Sequence, residues 1–174
     1  MKKIILSMLF VFAAVAASAQ VYVGGALSWT HDDSKDFNSF LLAPEVGYNI
    51  NDKWTVGVEL AYIHTKSAHD IKGNGFAIAP YGRFNFFQKK IVRLFVEGGL
   101  GFSTYKIKDG DSENGFEIGF KPGIAFDVTE HLSLEAKYGF LGYRDQYMGA
   151  GANHSVSGLD FDPNSLGFSI KYEF

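Results

Sequence analysis

Leu166-Gly167-Phe168-Ser169-Ile170-Lys171-Tyr172-Glu173-Phe174 decides how this chain is read. Every even position is large and apolar, and every odd position is small or charged. A period of two is the signature of a β-strand with one greasy face and one polar face. The stretch ends on an aromatic residue, with a second aromatic two places earlier.

Working outward, the same alternation recurs through most of the chain. Val21, Val23, Leu27 and Trp29 oppose Tyr22, Gly24, Ala26 and Ser28, and Phe40, Leu42, Pro44, Val46 and Tyr48 oppose Ala43, Glu45, Gly47 and Asn49. Trp54, Val56, Val58, Leu60 and Tyr62 form a third apolar face, and Phe76, Ile78, Pro80, Phe84 and Phe86 a fourth. A fifth strand sets Leu94, Val96, Leu100 and Phe102 against Arg93, Phe95, Glu97, Gly99 and Gly101. The sixth, from Phe116 to Val128, is the cleanest; the seventh sets Leu132, Leu134, Ala136, Tyr138 and Phe140 outward. Apolar residues recur at i+2 and not at i+3 and i+4, so no helix is expected in these segments.

The connections alternate in length. Asn51-Asp52-Lys53, Gln88-Lys89-Lys90 and Thr129-Glu130-His131 read as tight turns. The loops His31–Asp36, Lys66–Gly73, Lys106–Asn114 and Arg144–Pro163 are longer. A repeat accompanies them: Pro44, Pro80 and Pro122 each stand four residues before an aromatic and five before Asn49, Asn85 or Asp127. Each proline removes a ladder donor, so a bulge or a wide pair is expected there.

The N-terminus reads differently. Met1-Lys2-Lys3 is basic, Ile4 to Ala16 is apolar except for Ser7, and Ala17-Ser18-Ala19 is a small-residue cleavage pattern. Residues 1–19 therefore read as a secretory signal peptide and residues 20–174 as one mature domain. The apolar run is too short for a membrane-spanning helix. Formal charge is −3, falling to about −5 without Lys2 and Lys3, so no basic surface for nucleic acid is implied. There is no cysteine, hence no disulfide or thiolate metal framework. Twenty glycines and seventeen phenylalanines on alternating faces leave mean hydropathy close to zero, which suits membrane strands better than membrane helices.

These features predict an all-β fold: an eight-stranded antiparallel up-and-down transmembrane β-barrel with short periplasmic turns and longer extracellular loops. Aromatics crowd both ends of the apolar faces, as interfacial girdles do. The glycine-rich polar face suits the narrow interior of such a barrel. It also carries Glu45, Glu59, Arg83, Arg93, Glu97, Glu117, Lys121, Glu135, Lys137, Lys171 and Glu173, whose signs nearly cancel. Isolated charges in a shielded lumen are costly, so a packed network of ion pairs is expected in place of an open pore.

The chain resembles the small outer-membrane barrel family that includes OmpX, the barrel domain of OmpA and the opacity-type proteins. The resemblance spans Val21 to Phe174 and rests on architecture and on the closing strand. It implies residence in the outer membrane among lipid and lipopolysaccharide. It also implies an assembly signal in Phe168, Ile170, Tyr172 and Phe174, read by the barrel-assembly machinery, with periplasmic chaperones as earlier partners. With the eighth strand closing the sequence, no wall-anchoring domain of the OmpA kind is expected.

Chemistry finds little support. His154, Ser155 and Ser157 invite a lipid A deacylase reading, but they fall in the last loop and no glutamate is paired with them by spacing. Asp109 to Glu113 faintly suggests a calcium loop, yet Phe120 stands where the twelfth-position glutamate belongs. No catalytic, metal or cofactor site is expected. The leading expectation is a non-enzymatic outer-membrane anchor whose loops touch a surface ligand or support the envelope. A narrow solute channel is the alternative, and a lipid-modifying enzyme the third reading.

Overall fold

The computed structural model describes residues 20–32, 37–67, 71–107, 112–149, 155–161 and 166–174. The expected signal peptide lies outside them. Among the described residues are ten strand segments: β1 (Val21–Asp32), β2 (Phe37–Asn49), β3 (Trp54–Ser67), β4 (Ile71–Lys89), β5 (Val92–Ile107), β6 (Ser112–Asp127), β7 (Leu132–Lys137), β8 (Phe140–Asp145), β9 (Ser155–Asp160) and β10 (Gly167–Glu173). They make eight staves, because β7 and β8 are two parts of the seventh and β9 and β10 two parts of the eighth. Every pairing is antiparallel, and β1 against β10 closes the cylinder. No helix among the described residues is long and apolar enough to cross a membrane.

The alternation lands as a membrane requires. Val56 is 44% exposed and Phe168 66%, whereas Tyr22, Arg83, Phe95, Glu135 and Lys171 are buried. The apolar face thus points out and the charged face points in, the inverse of a soluble protein. Trp54 and Phe84 pack with ring centroids 4.8 Å apart at the turn end, and Phe102 and Phe116 at 5.3 Å at the other end. Glycines on the inner face make room for large rings: a Cβ on Gly47 or Gly123 would run into Tyr22 or Phe95.

Several boundaries differ from the expected ones. The outer connections are largely ladder: β3 reaches Ser67 and β4 starts at Ile71, with Gly73 paired to Thr65, and the first and third connections shrink likewise. The long outer excursions are therefore hairpin arms in which strand pairing persists past the aromatic girdle. Arg144–Pro163 is not one loop. Arg144 belongs to β8, a 3-10 turn covers Tyr147–Gly149, and Ser155 and Ser157 lie in β9 opposite Asp145 and Tyr143. His154 lies outside the described residues. The turn expected at Gln88–Lys90 moves to Lys90–Ile91, with Lys90 at φ 53°. A bulge at Phe86 uses up the displaced residue, so Phe86 and Phe87 are both exposed.

The prolines interrupt the ladder to the following strand. The pairing of β2 with β3 skips Ala43 and Pro44 without changing register, and that of β4 with β5 skips Ala79 and Pro80. At Pro122 the register itself slips: Gly123 faces Lys137 but Phe120 faces Leu141. The surplus residue sits at Tyr138–Gly139, where Gly139 takes φ 86°. A one-residue slip reverses the faces. Phe140, expected outside, is therefore buried at 2%, while Leu141 is 48% exposed.

Candidate functional site

The inner face of the barrel gathers all of the charged residues singled out from the sequence, stacked in three groups along the axis. Alternation places each side chain, and antiparallel register sets its height. The turn-side group centres on Arg93 of β5. Its Nη2 lies 2.6 Å from Asp127 Oδ1 and donates to Ser133 Oγ at 2.8 Å, and its Nη1 reaches Glu173 Oε1 at 3.4 Å. Lys171 Nζ meets the same Glu173 oxygen at 3.0 Å and stands 3.8 Å from the centre of the Tyr22 ring.

The middle group is the most enclosed. Arg83 of β4 spreads its guanidinium between Glu135 Oε1 at 2.7 Å and Glu97 Oε2 at 3.0 Å, with the Phe95 ring 4.2 Å beneath it. Lys137 Nζ donates to Glu97 Oε1 at 3.0 Å and lies 3.8 Å from both Glu45 and Glu59. Tyr81 donates its hydroxyl to Glu45 Oε2 at 3.0 Å and also hydrogen-bonds Tyr22. A charge in such surroundings is tolerable only because a partner and further hydrogen bonds answer it.

The outer group turns on Glu117 of β6. Its two oxygens take Lys121 Nζ at 2.6 Å and Arg144 Nη2 at 2.7 Å, and Phe140 packs 4.2 Å from the Arg144 guanidinium. Above it the lumen is apolar. Tyr147 and Met148 of the 3-10 turn fold against Ala43, Ala61 and Ala77, held by the Met148 amide donating to Ser103 Oγ at 2.8 Å.

Parity alone puts Tyr22, Tyr81, Phe95 and Asp127 on the inner face, and the structure makes them partners in the network. Arg144, Phe140 and Tyr147 escape parity. The first and last lie in the stretch expected as loop, and local alternation puts Phe140 outside because the slip at Gly139 leaves no mark in it. Phe168, Ile170 and Tyr172 are exposed on the outer face of β10, and Phe174 follows them with its amide donating to Val21 O at 3.1 Å. Among the described residues no group of His, Cys, Asp or Glu could hold a metal ion.

Comparison with known proteins agrees with this geometry. The model of a family described as the outer membrane protein beta-barrel domain matches residues 4–174. No curated protein matches the chain. Among solved structures, Neisserial surface protein A (NspA) superposes with a TM-score of 0.54 at 17% identity, over 90% of this chain and 98% of its own. The Yersinia pestis outer membrane protein Ail gives 0.54 at 15%, over 90% and 100%. The N-terminal barrel domain of Pseudomonas aeruginosa OprF gives 0.50 at 16%, over 90% and 98%. At these identities the likeness is one of fold. With its greasy exterior, ion-paired lumen and matching family model, the chain belongs to the outer membrane protein beta-barrel domain family and resides in the outer membrane.

Proposed function

We propose that this protein is a non-enzymatic outer-membrane anchor: a plugged barrel that holds outer hairpin arms in place to touch a surface ligand or to stiffen the envelope. The observation that carries this reading is the blocked lumen. Arg83, Glu97, Glu135 and Lys137 bond one another across the middle of the cylinder, and Tyr147 with Met148 caps the outer end. A rigid scaffold carrying projecting connections is the usual arrangement for recognition. The same reading assigns residues 1–19 to export. It assigns Phe168, Ile170, Tyr172 and Phe174 to recognition by the assembly machinery after chaperone escort through the periplasm. The eleven lumen charges act in it as structural filling.

Conductance across a planar bilayer tests the reading. The purified barrel is expected to pass no steady ion current at neutral pH. A steady current in the intact protein would favour the narrow solute channel instead. Cells lacking the protein are expected to become more sensitive to detergent or to lose adhesion.

A further inference from the structure

The three short turns are not built alike. β2 stops at Asn49 and β6 at Asp127, but β4 runs past the equivalent Asn85 to Lys89 before the chain turns back into β5. The bulge at Phe86 lies in this extension. Plain alternation from Phe84 would aim Gln88 at the membrane and both Phe87 and Lys89 into the lumen. The extra residue reverses that. Phe87 pairs with Leu94 and Lys89 with Val92 on the outer face, while Gln88 pairs with Arg93 and lines the mouth of the lumen. Phe86, Phe87, Lys89, Lys90 and Ile91 are all exposed.

Charge is segregated here as well. Between Arg83 and Glu97 the chain carries Lys89, Lys90 and Arg93 and no acid. Arg93 is answered inside the lumen by Asp127 and Glu173. Lys89 and Lys90 make no side-chain ion pair or hydrogen bond among the described residues. Of the acids on the flanking turns, Asp52 is followed by Lys53 and lines the lumen mouth, and Glu130 is followed by His131. The end of the chain at Phe174 lies against Val21 at the β1–β10 seam, across the barrel from β4 and β5. Even with Glu130 set against one of them, the two lysines leave a positive charge on this corner.

The corner stands at the turn-side edge of the apolar band, where hydrocarbon gives way to headgroups. Aromatic and aliphatic side chains sit readily at that boundary, and lysine stems lie along the apolar surface while their ammonium groups reach the phosphates. A lysine beside an anionic bilayer surface is held there electrostatically. We propose that the β4–β5 turn binds the headgroup phosphate of an anionic diacyl phospholipid in the leaflet on the turn side. Lys89 and Lys90 hold the phosphate, and Phe86, Phe87 and Ile91 seat the turn among the upper acyl carbons. The bulge is what turns Phe87 and Lys89 to face that lipid.

Native mass spectrometry of the folded full chain in detergent tests this, with phosphatidylglycerol or phosphatidylcholine of the same acyl chains added. The first phosphatidylglycerol is expected to bind about fivefold or more tighter than the first phosphatidylcholine. Lys89→Gln with Lys90→Gln should bring the two lipids level. Lys89→Gln alone should remove more of the preference than Lys53→Gln, which takes the same charge from a turn that carries its own acid. Heat-dependent gel mobility reports the folding of each variant, and both lysines are exposed, so the variants are expected to fold. Equal binding of the two lipids by the intact chain overturns the site, as does a preference that survives in the folded double variant. An equal effect of Lys53→Gln and Lys89→Gln would reduce the preference to overall charge and overturn it too.

Discussion

The wall formed by β2 to β6 and the wall formed by β7 to β10 obey one rule of side-chain placement and end differently. In the first, parity holds from the turn-side girdle to the outer girdle. Glu45, Glu59, Arg83, Glu97 and Glu117 all point inward as their positions dictate, and the Phe86 bulge lies turn-ward of the Arg83 layer. In the second, the slip opposite Pro122 inverts the faces, so Phe140 and Arg144 enter the lumen while Leu141 and Tyr143 leave it. The contrast teaches that alternation belongs to the ladder rather than to the residues. Where pairing is continuous, one inward residue locates all others; one extra residue resets the count.

The largest effect should come from the regular wall's central ion pairs. Arg83→Ala strands the buried Glu97 and Glu135 and is expected to cost about 3–5 kcal/mol in urea unfolding from lipid followed by tryptophan emission. A loss below about 1 kcal/mol would mean that the middle layer is wetter than its geometry implies. Next comes the inverted face. Leu141→Arg places a charge against lipid and should cost roughly 2–4 kcal/mol if the site is near the bilayer midplane. The chain lacks cysteine, so single cysteines can be spin-labelled cleanly. A nitroxide at Leu141→Cys should be relaxed by dissolved oxygen, and one at Phe140→Cys should not. The reverse result would remove the slip.

Smaller effects sharpen the comparison further. Gly139 holds φ 86° with Phe161 stacked over it, so Gly139→Ala should cost about 1–2 kcal/mol. Gly82→Ala, in the regular wall with nothing within 4 Å, should stay within about 0.5 kcal/mol in the same titration. The turns supply the control on which the walls agree. Asn51 Oδ1 accepts from the Lys53 and Trp54 amides, as Thr129 Oγ1 does from His131 and Leu132. Asn51→Ala and Thr129→Ala should each lose only about 0.5–1.5 kcal/mol, and by similar amounts.

Much of this architecture is legible from alternation because a membrane barrel uses each strand's two faces for opposite solvents. Val56, Phe168 and Glu97 reveal their sides by position alone. Turn chemistry at Asn51 and Thr129 is equally local. What stayed hidden depends on partners distant in sequence. Whether Lys137 meets Glu45 or Glu97 is fixed by the height at which separate strands are stapled together. The slip at Gly139 answers a proline some seventeen residues earlier. The hairpin arms were read as loops because polar strand ends beyond the girdle have no apolar side to betray them.

The pairing of Tyr22–Gly25 with Ile170–Glu173 also has a temporal meaning. Those partners stand almost at opposite ends of the chain, whereas every other pairing joins neighbours in sequence or nearly so. Loop-closure entropy makes the most distant contact the slowest to form, so hairpins can appear early while circularisation waits. A nascent molecule therefore passes through an open, curled sheet with two bare margins, and its vulnerability to misassociation is concentrated in that interval.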